Sequence, residues 1–353
     1  MLKVVKLLIF VLALCALCAG CAGSPGSRPP PKDEPLWIGD VDQVYSRLRY
    51  MATVGYGPSR AVAEKEAFAS MISVFGQTVR VDRQSIVGYQ EALLQDTVAS
   101  YIRDTEITSA IKTSAGLDTL IGAEIRDYWY DGRDTHYALA VMEKSKAAAL
   151  YSDLVSVNRE IIGNLTTMTD GEKYSLGGYV RFLLAAKVAD GNRVFVNILS
   201  VLGGAAAPSS RELADAEQFR LEAQNIVHRI PVDVLVDNDS SGRIQGAFAA
   251  VIGKKGFLSG GQDSRYVLDV TLSFSPVELP DRQNKFVRYE LAAKLLDRVT
   301  GNVLLPYTAS GREGHLTVSE AENRAIRTLE TEISDAWDAA FSAYLDSLVP
   351  QKN

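Results

Sequence analysis

Apolar and polar residues alternate strictly over 267–274, a pattern typical of a strand with one buried face. Residues 286–296 repeat the alternation, and Val299-Thr300-Gly301-Asn302 predicts a turn into a third strand at 303–313. A strand at 231–236 and a helix at 242–251 are predicted before this meander. The apolar side of the first strand is formed by Leu268, Val270, Leu272 and Phe274, opposite Val267, Asp269, Thr271 and Ser273.

A long helix is predicted after the meander, because apolar residues recur at spacings of three and four. Such a helix would lie across the antiparallel sheet and bury its apolar stripe. The stripe contains Ala321, Ala325, Leu329, Ile333, Trp337, Phe341 and Tyr344.

The first part of the body predicts a second unit of strands and helices. A strand at 50–54 is followed by the turn 55–59, in which Ser59 can cap a helix that ends at Gly76. A strand at 78–83, a helix at 89–105 and a hairpin of strands 121–130 and 135–142 follow, with the hairpin turn at 131–134. The spacing places five residues on one face of the first helix: Ala63, Ala67, Met71, Val74 and Phe75.

Helical periodicity dominates the region between the two units. Leu150, Leu154, Ile161 and Leu165 form one stripe, and two further helices are predicted at 174–189 and 193–202, joined by a turn at 190–192. A helix at 212–228 would be capped by Ser209 or Ser210. We therefore predict an α+β fold of two small α/β sandwich-like units, each an antiparallel sheet with packed helices, separated by a helical segment. The predicted boundaries are 36–142, 143–207 and 208–350.

The N-terminus has the pattern of a bacterial signal peptide, with Lys3 and Lys6 before a short apolar run at 7–17. The segment from Cys18 to Cys21 resembles the lipobox of lipoprotein precursors, although Cys18 stands where Leu is usual. This resemblance predicts a signal peptide at 1–20, with cleavage before Cys21 and acylation, such as palmitate, on that cysteine. Simple secretion without acylation is the alternative.

Acyl chains on Cys21 would hold the chain at a membrane, since each buried methylene contributes about 0.8 kcal/mol. Residues 21–35 are rich in Gly, Ser and Pro, which predicts a flexible tether reaching roughly 40 Å. Ala22 follows the cysteine where Asp would mark inner-membrane retention, so the outer membrane is favoured. The predicted location is the periplasmic or surface face of the bacterial envelope.

Composition and motifs narrow the range of cofactors and partners that the chain could bind. All three cysteines lie at 15–21, so the body must be stable without disulfides, and no cofactor or metal is predicted. The net charge of −6 argues against nucleic acid as a partner. Leu258-Ser259-Gly260-Gly261-Gln262 matches the signature peptide of ABC-transporter ATPases. No phosphate-binding GxxxxGK[ST] loop accompanies it, so no nucleotide partner is predicted.

Catalytic motifs are absent from the sequence. His136, His228 and His315 form no HExxH or HxH spacing, and no GxSxG is present. We therefore expect that the chain is not an enzyme. The alternative, a hydrolase, would need a cleft that gathers His136 or His315 with carboxylates. Asp127, Asp131 and Asp134 lie around the hairpin, where turn chemistry explains them.

An aromatic set in the same hairpin is the candidate binding surface. It contains Tyr128, Trp129 and Tyr130 on one strand and Tyr137 on the next. Because alternate residues of a strand point to opposite faces, Tyr128 and Tyr130 should share one face and Trp129 the other. Such a patch could bind a protein or a glycan.

The segment 37–77 carries a family resemblance. The run from Tyr50 to Gly57, an Ala/Glu-rich helix and Phe75-Gly76-Gln77 together resemble the LPP-twenty family of bacterial envelope lipoproteins. The resemblance covers about a third of the chain. It implies a lipid-anchored, non-enzymatic protein, with some relatives in flagellar or envelope assemblies, and it brings no catalytic residues.

Three hypotheses follow. The leading one is a structural or adaptor lipoprotein that binds other envelope proteins. The second is a module that binds peptidoglycan or another envelope glycan through exposed aromatic residues. The third is the hydrolase.

Overall fold

The computed structural model describes residues 33–78, 83–94, 120–203, 214–261, 263–279 and 283–348. Within these residues the chain folds into helices and two sheets, which confirms the predicted α+β class. Cys21 and the tether up to residue 32 lie outside the described part. The predicted division into domains stays a prediction.

The N-terminal sheet has three antiparallel strands: β1 (Tyr50–Gly57), β2 (Glu124–Tyr130) and β3 (His136–Glu143). Their order is β1-β3-β2, so β3 is central. Helix α1 (Arg60–Thr78) packs on one face of this sheet. The packing is close because Gly55 has no side chain: a Cβ there would lie 2.1 Å from the amide nitrogen of Ala67.

One helix end in this unit differs from the prediction. Helix α1 continues past Gly76 to Thr78, and α2 spans Arg83–Leu94, so the first and last residues of the strand expected at 78–83 are helical. Residues 79–82, and the part of the predicted helix 89–105 after residue 94, lie outside the described residues.

The middle region contains α3 (Lys144–Thr166), a single turn at Asp170–Lys173, α4 (Leu176–Leu202) and α5 (Ala216–Arg229). The turn predicted at 190–192 is wrong, because α4 runs through it. Gly191 makes room for the ring of Tyr89, whose Cδ2 would lie 2.4 Å from an added Cβ. Asn192 accepts a hydrogen bond from Asn158 at 2.7 Å, and Asn158 accepts one from the Tyr89 hydroxyl at 2.9 Å. These polar residues form a buried network.

The cap predicted for α5 is also wrong. The helix begins at Ala216, and the side chain of Asp215 accepts a hydrogen bond from the amide of Glu217. Ser209 and Ser210 lie outside the described residues. Asp is as good a cap as Ser, so propensity alone did not identify the residue.

The C-terminal sheet contains β4 (Val232–Asp237), β5 (Tyr266–Val277), β6 (Lys285–Asp297) and β7 (Asn302–His315), in that order. The meander β5-β6-β7 is antiparallel, as predicted, whereas β4 pairs with β5 in parallel. Helix α6 (Arg243–Lys254) connects β4 to β5. The sequence pattern of β4 did not distinguish the two pairings.

The final helix buries the predicted stripe. It consists of α7 (Val318–Glu332), a π-helical turn (Ile333–Trp337) and α8 (Asp338–Ser347). Trp337 is fully buried, edge-on to Phe248 of α6 at 5.0 Å and stacked on Phe341 at 5.1 Å. The main buried cluster is continuous from α1 and β3 through α3 and α4 to the C-terminal sheet.

Candidate functional site

A second, smaller cluster lies on the face of the N-terminal sheet opposite α1. Leu139 and Val141 of β3 are buried there beneath Trp37, which is only 4% exposed. The Trp37 indole donates a hydrogen bond to Asp127 Oδ2 at 2.8 Å. Residues directly after the tether therefore cover part of an apolar sheet face.

Two short helical turns position this cover. They span Leu36–Gly39 and Val41–Val44, and Asp40 caps the second by accepting a hydrogen bond from the amide of Asp42. Their outer sides leave the apolar side chains of Leu36 and Val44 exposed. The covering segment thus presents its own apolar surface.

A row of aromatic rings crosses the same face. Tyr137 of β3 lies between Trp129 of β2 and Tyr56 of β1, with ring centroids at 5.5 and 6.3 Å. Trp129 and Tyr137 are partly buried against the Trp37 cluster, whereas Tyr56 is 68% exposed. The row is therefore open at its β1 end.

The other predicted aromatic residues lie on the opposite face, beside the start of α1. Tyr128 hydrogen-bonds through its hydroxyl to Nδ1 of His136, and Tyr130 stacks on the same imidazole at 4.5 Å. The guanidinium of Arg60 lies 4.9 Å from the Tyr128 ring centroid. Tyr130 is 42% exposed. Tyr128, Trp129, Tyr130 and Tyr137 thus belong to two surfaces, with the alternation that was predicted.

Sequence reasoning missed Trp37 and Tyr56 as members of the aromatic face. Trp37 contacts Asp127 across 90 residues, and Tyr56 lies opposite Tyr137 only because β1 pairs with β3. A long-range pairing prediction would have been needed to bring them together. Cys21 lies outside the described residues.

The carboxylates of the hairpin accept hydrogen bonds from backbone amides and from the Trp37 indole. Asp131 accepts hydrogen bonds from the amides of Arg133 and Thr135, at 2.8 and 3.1 Å, and these bonds lower its pKa. Asp127 holds Trp37 and the amide of Tyr128. No group of three or more His, Cys, Asp or Glu within the described ranges is arranged to hold a metal ion.

The histidines lie apart from one another in the fold. His136 is packed between two tyrosines, His228 lies in the last turn of α5, and Nδ1 of His315 is buried without a hydrogen-bond partner in the described part of the chain. Residues 258–261 of the ABC-like peptide lie in the loop between α6 and β5, where Gly260 and Gly261 have φ values of +99° and +128°. No helix in the described residues has the length and apolarity to cross a bilayer.

No family model matches this sequence, and no curated protein matches it. Among solved structures, a secreted protein from Helicobacter pylori is 12% identical, with 80% of this chain and 97% of that chain covered and a TM-score of 0.38. A minor lipoprotein from Acinetobacter baumannii is 16% identical (35% and 97% covered, TM-score 0.24). The rare lipoprotein B from Shewanella oneidensis is 13% identical (34% and 96% covered, TM-score 0.23). At these TM-scores the similarities carry no argument for function, and the LPP-twenty resemblance stays a prediction.

Proposed function

We propose that this chain is a lipid-anchored lipoprotein of the bacterial envelope, attached through Cys21, and that its body acts as a structural or adaptor component that binds other envelope proteins. The observation that carries the proposal is the position of the cysteines. All three lie at 15–21, at the end of a signal-peptide pattern, and the body from residue 22 onward has none. Cys21 therefore has no disulfide partner in the body of the chain. The outer membrane is the favoured site of attachment, because Ala22 and not Asp follows the cysteine.

The anchor is tested by labelling cells with a radioactive fatty acid. The unmodified chain should incorporate label, and Cys21→Ser should lose it. Cys15→Ser is the matched control, because it removes a cysteine inside the predicted leader and should leave labelling unchanged. An unlabelled parent chain, or equal labelling of the Cys21→Ser variant, would contradict the anchor.

The adaptor role rests on the surface next to the tether. The segment that covers the N-terminal sheet exposes Leu36, and the aromatic row ends at exposed Tyr56. Exposed apolar and aromatic side chains close in sequence to a membrane tether are suited to protein contact, since such groups contribute most of the energy at interfaces. The absence of catalytic sequence motifs supports a non-enzymatic role.

The adaptor test compares two exposed apolar residues at different ends of the molecule. An affinity-tagged chain should retain specific envelope proteins from detergent-solubilised envelopes, and Leu36→Ser should reduce that retention severalfold. Val299→Ser is the control, because Val299 is similarly exposed but lies in the β6–β7 turn. Equal retention by the parent and both variants would exclude the surface next to the tether.

Glycan binding is the second candidate, and exposed Tyr130 beside His136 favours it, because aromatic faces stack on sugars. Purified sacculi should then retain the parent chain, and Tyr130→Ala should release it. Retention by sacculi together with no retained envelope protein would replace the adaptor proposal.

A further inference from the structure

Each of the two described sheets has two edge strands: β1 and β2 in one, β4 and β7 in the other. An edge strand presents unpaired N–H and C=O groups, and proteins usually block such edges with charges, proline, bulges or covering segments. Three of these four edges are blocked.

The β4 edge is covered by chain from the same unit. The amide of Val232 donates to the Leu258 carbonyl at 2.9 Å, and the amide of Gly260 donates to the Val232 carbonyl at 3.2 Å. The side chain of Gln245 donates to the Val234 carbonyl at 2.9 Å. The loop that contains the ABC-like peptide is therefore an edge cover.

The β7 and β2 edges are blocked by local features. Strand β7 contains Pro306, which has no N–H, and Arg324 donates to the Gly314 carbonyl at 2.9 Å. Strand β2 has a register shift between Ile125 and Asp127, and the Asp127 carboxylate accepts from the amide of Tyr128 at 2.8 Å. Both features disfavour an added strand.

Strand β1 is blocked only at its first residue, Tyr50. It contains no charged residue and no proline, and its register with β3 is unbroken from Tyr50 to Gly57. The amide of Lys144 donates to the Arg49 carbonyl, so alternation directs the backbone groups of odd-numbered β1 residues toward β3 and those of even-numbered residues outward. The outward amide of Tyr50 bonds to Ser46. No described residue bonds the outward groups of Ala52, Val54 and Tyr56.

A groove accompanies this open edge, between β1 and a stripe of α1, and the covering segment at 41–47 forms part of its wall near Tyr50. The stripe has a spacing of four residues and so lies on one side of the helix. Cavities of 590 and 360 Å³ follow the two halves of β1. The stripe residues that line them are Val62, Glu66 and Ser70 in the first and Val74 in the second.

We infer that β1 pairs antiparallel with β1 of a second copy of this chain, which joins two three-stranded sheets into one across a twofold axis. With the axis at Thr53, Ala52 faces Val54 of the second copy and Tyr50 faces its Tyr56. The two Ala52–Val54 pairs bring free N–H and C=O groups of both strands together, and the amide of Tyr56 can donate to the free carbonyl of Tyr50. Cross-strand aromatic pairs also stabilise sheets.

The same axis makes the α1 stripe complementary to itself. With a midpoint at residue 68, Val62 faces Val74 of the second copy, and Glu66 faces its Ser70. Thr53, the midpoint of the strand pairing, lies beside residue 68, the midpoint of the helix stripe, because the Thr53 hydroxyl donates to the Ala67 carbonyl at 2.8 Å. Such self-complementarity is what a twofold interface requires, and it favours a second copy over an unrelated strand.

Helix spacing agrees with this arrangement. Because α1 packs on both β1 and β3, strands about 4.8 Å apart would place the two α1 axes roughly 10 Å apart, an ordinary packing distance. The charges in the groove leave the pairing unopposed, because Arg47 is neutralised by its ion pair with Asp42 at 2.6 Å.

The test is a disulfide across the axis. Thr53 would face Thr53 of the second copy at a non-hydrogen-bonded position, where Cα atoms approach to about 4.5 Å, within disulfide range. Mild oxidation of full-length Thr53→Cys in detergent should give a dimer, reversed by reductant, at least tenfold above the parent chain with its native cysteines. Thr308→Cys, on the blocked β7 edge, should remain at the parent level.

A second variant checks the edge without a new cysteine. Ala52→Pro removes an outward N–H but no bond to β3, so sedimentation in density-matched detergent should change from dimer to monomer while circular dichroism keeps its native shape. Thr308→Pro, on the β7 edge, should leave the dimer intact. A monomeric parent chain overturns the inference, as does crosslinking of Thr53→Cys in cells to a different envelope protein.

Discussion

The two sheets of this protein differ in the polarity of the face that points away from the packed helices. In the C-terminal sheet the face away from the helices is exposed and polar, with Asp269 opposite Lys294 and Ser273 opposite Glu290. In the N-terminal sheet the face away from α1 is apolar, with Leu139 and Val141 beneath Trp37. The first face is stable in water as it stands, whereas the second needs a cover.

The difference indicates where the molecule can make contacts. The cover of the N-terminal sheet ends before Tyr56, and the open β1 edge lies beside that same residue. The C-terminal sheet has both edges blocked and a solvated outer face. We therefore expect contacts with other proteins at the N-terminal unit, which is also the nearer of the two units in sequence to the predicted anchor.

The largest effect should come from the C-terminal core. Trp337→Ala removes a fully buried ring that contacts Phe248 and Phe341, and it should lower the free energy of unfolding by about 3–5 kcal/mol. Urea denaturation followed by circular dichroism measures the change. Val299→Ala, at an exposed turn position, should cost less than 0.5 kcal/mol. A loss below about 1 kcal/mol for Trp337→Ala would mean that this sheet does not depend on its helical layer.

The cover of the N-terminal sheet should contribute somewhat less. Trp37→Ala uncovers Leu139 and Val141 and leaves Asp127 without its indole donor, which should cost about 3 kcal/mol. Trp37→Phe keeps the apolar cover and loses the hydrogen bond, so we expect about 1 kcal/mol. Equal losses for the two variants would show that Asp127, and not apolar burial, holds the cover.

The comparison between sheets also separates what sequence could predict from what it could not. Local periodicity predicted the β5-β6-β7 meander and the Trp337 stripe, because each depends on neighbouring residues alone. The prediction of a turn at 190–192 was wrong because Gly191 makes room for Tyr89 of α2 and Asn192 hydrogen-bonds to Asn158 of α3. The parallel pairing of β4 and the aromatic row through Tyr56 depend on contacts between distant segments, which periodicity does not encode.

The smallest effect concerns a polar contact that joins the helical region to the C-terminal sheet. Arg265 donates to the buried carboxylate of Asp297 at 2.9 Å and to the carbonyl of Tyr174 at 2.8 Å. Burial would raise the pKa of Asp297, but the hydrogen bonds from Arg265 and from the amide of Val299 outweigh it, and the pKa lies below its ordinary value. Asp297→Asn should therefore cost about 2 kcal/mol at neutral pH.

The direction of that pKa shift also sets a pH dependence. A carboxylate whose pKa is lowered by folding stabilises the native state above its unfolded pKa of about 3.9, and the contribution is lost as the pH falls through the folded value. The parent chain should thus lose more stability than Asp297→Asn between about pH 5 and about pH 2, and the two unfolding curves should converge in acid. Parallel curves for the parent and Asp297→Asn across that range would mean that the Asp297 carboxylate contributes no net stability through its charge.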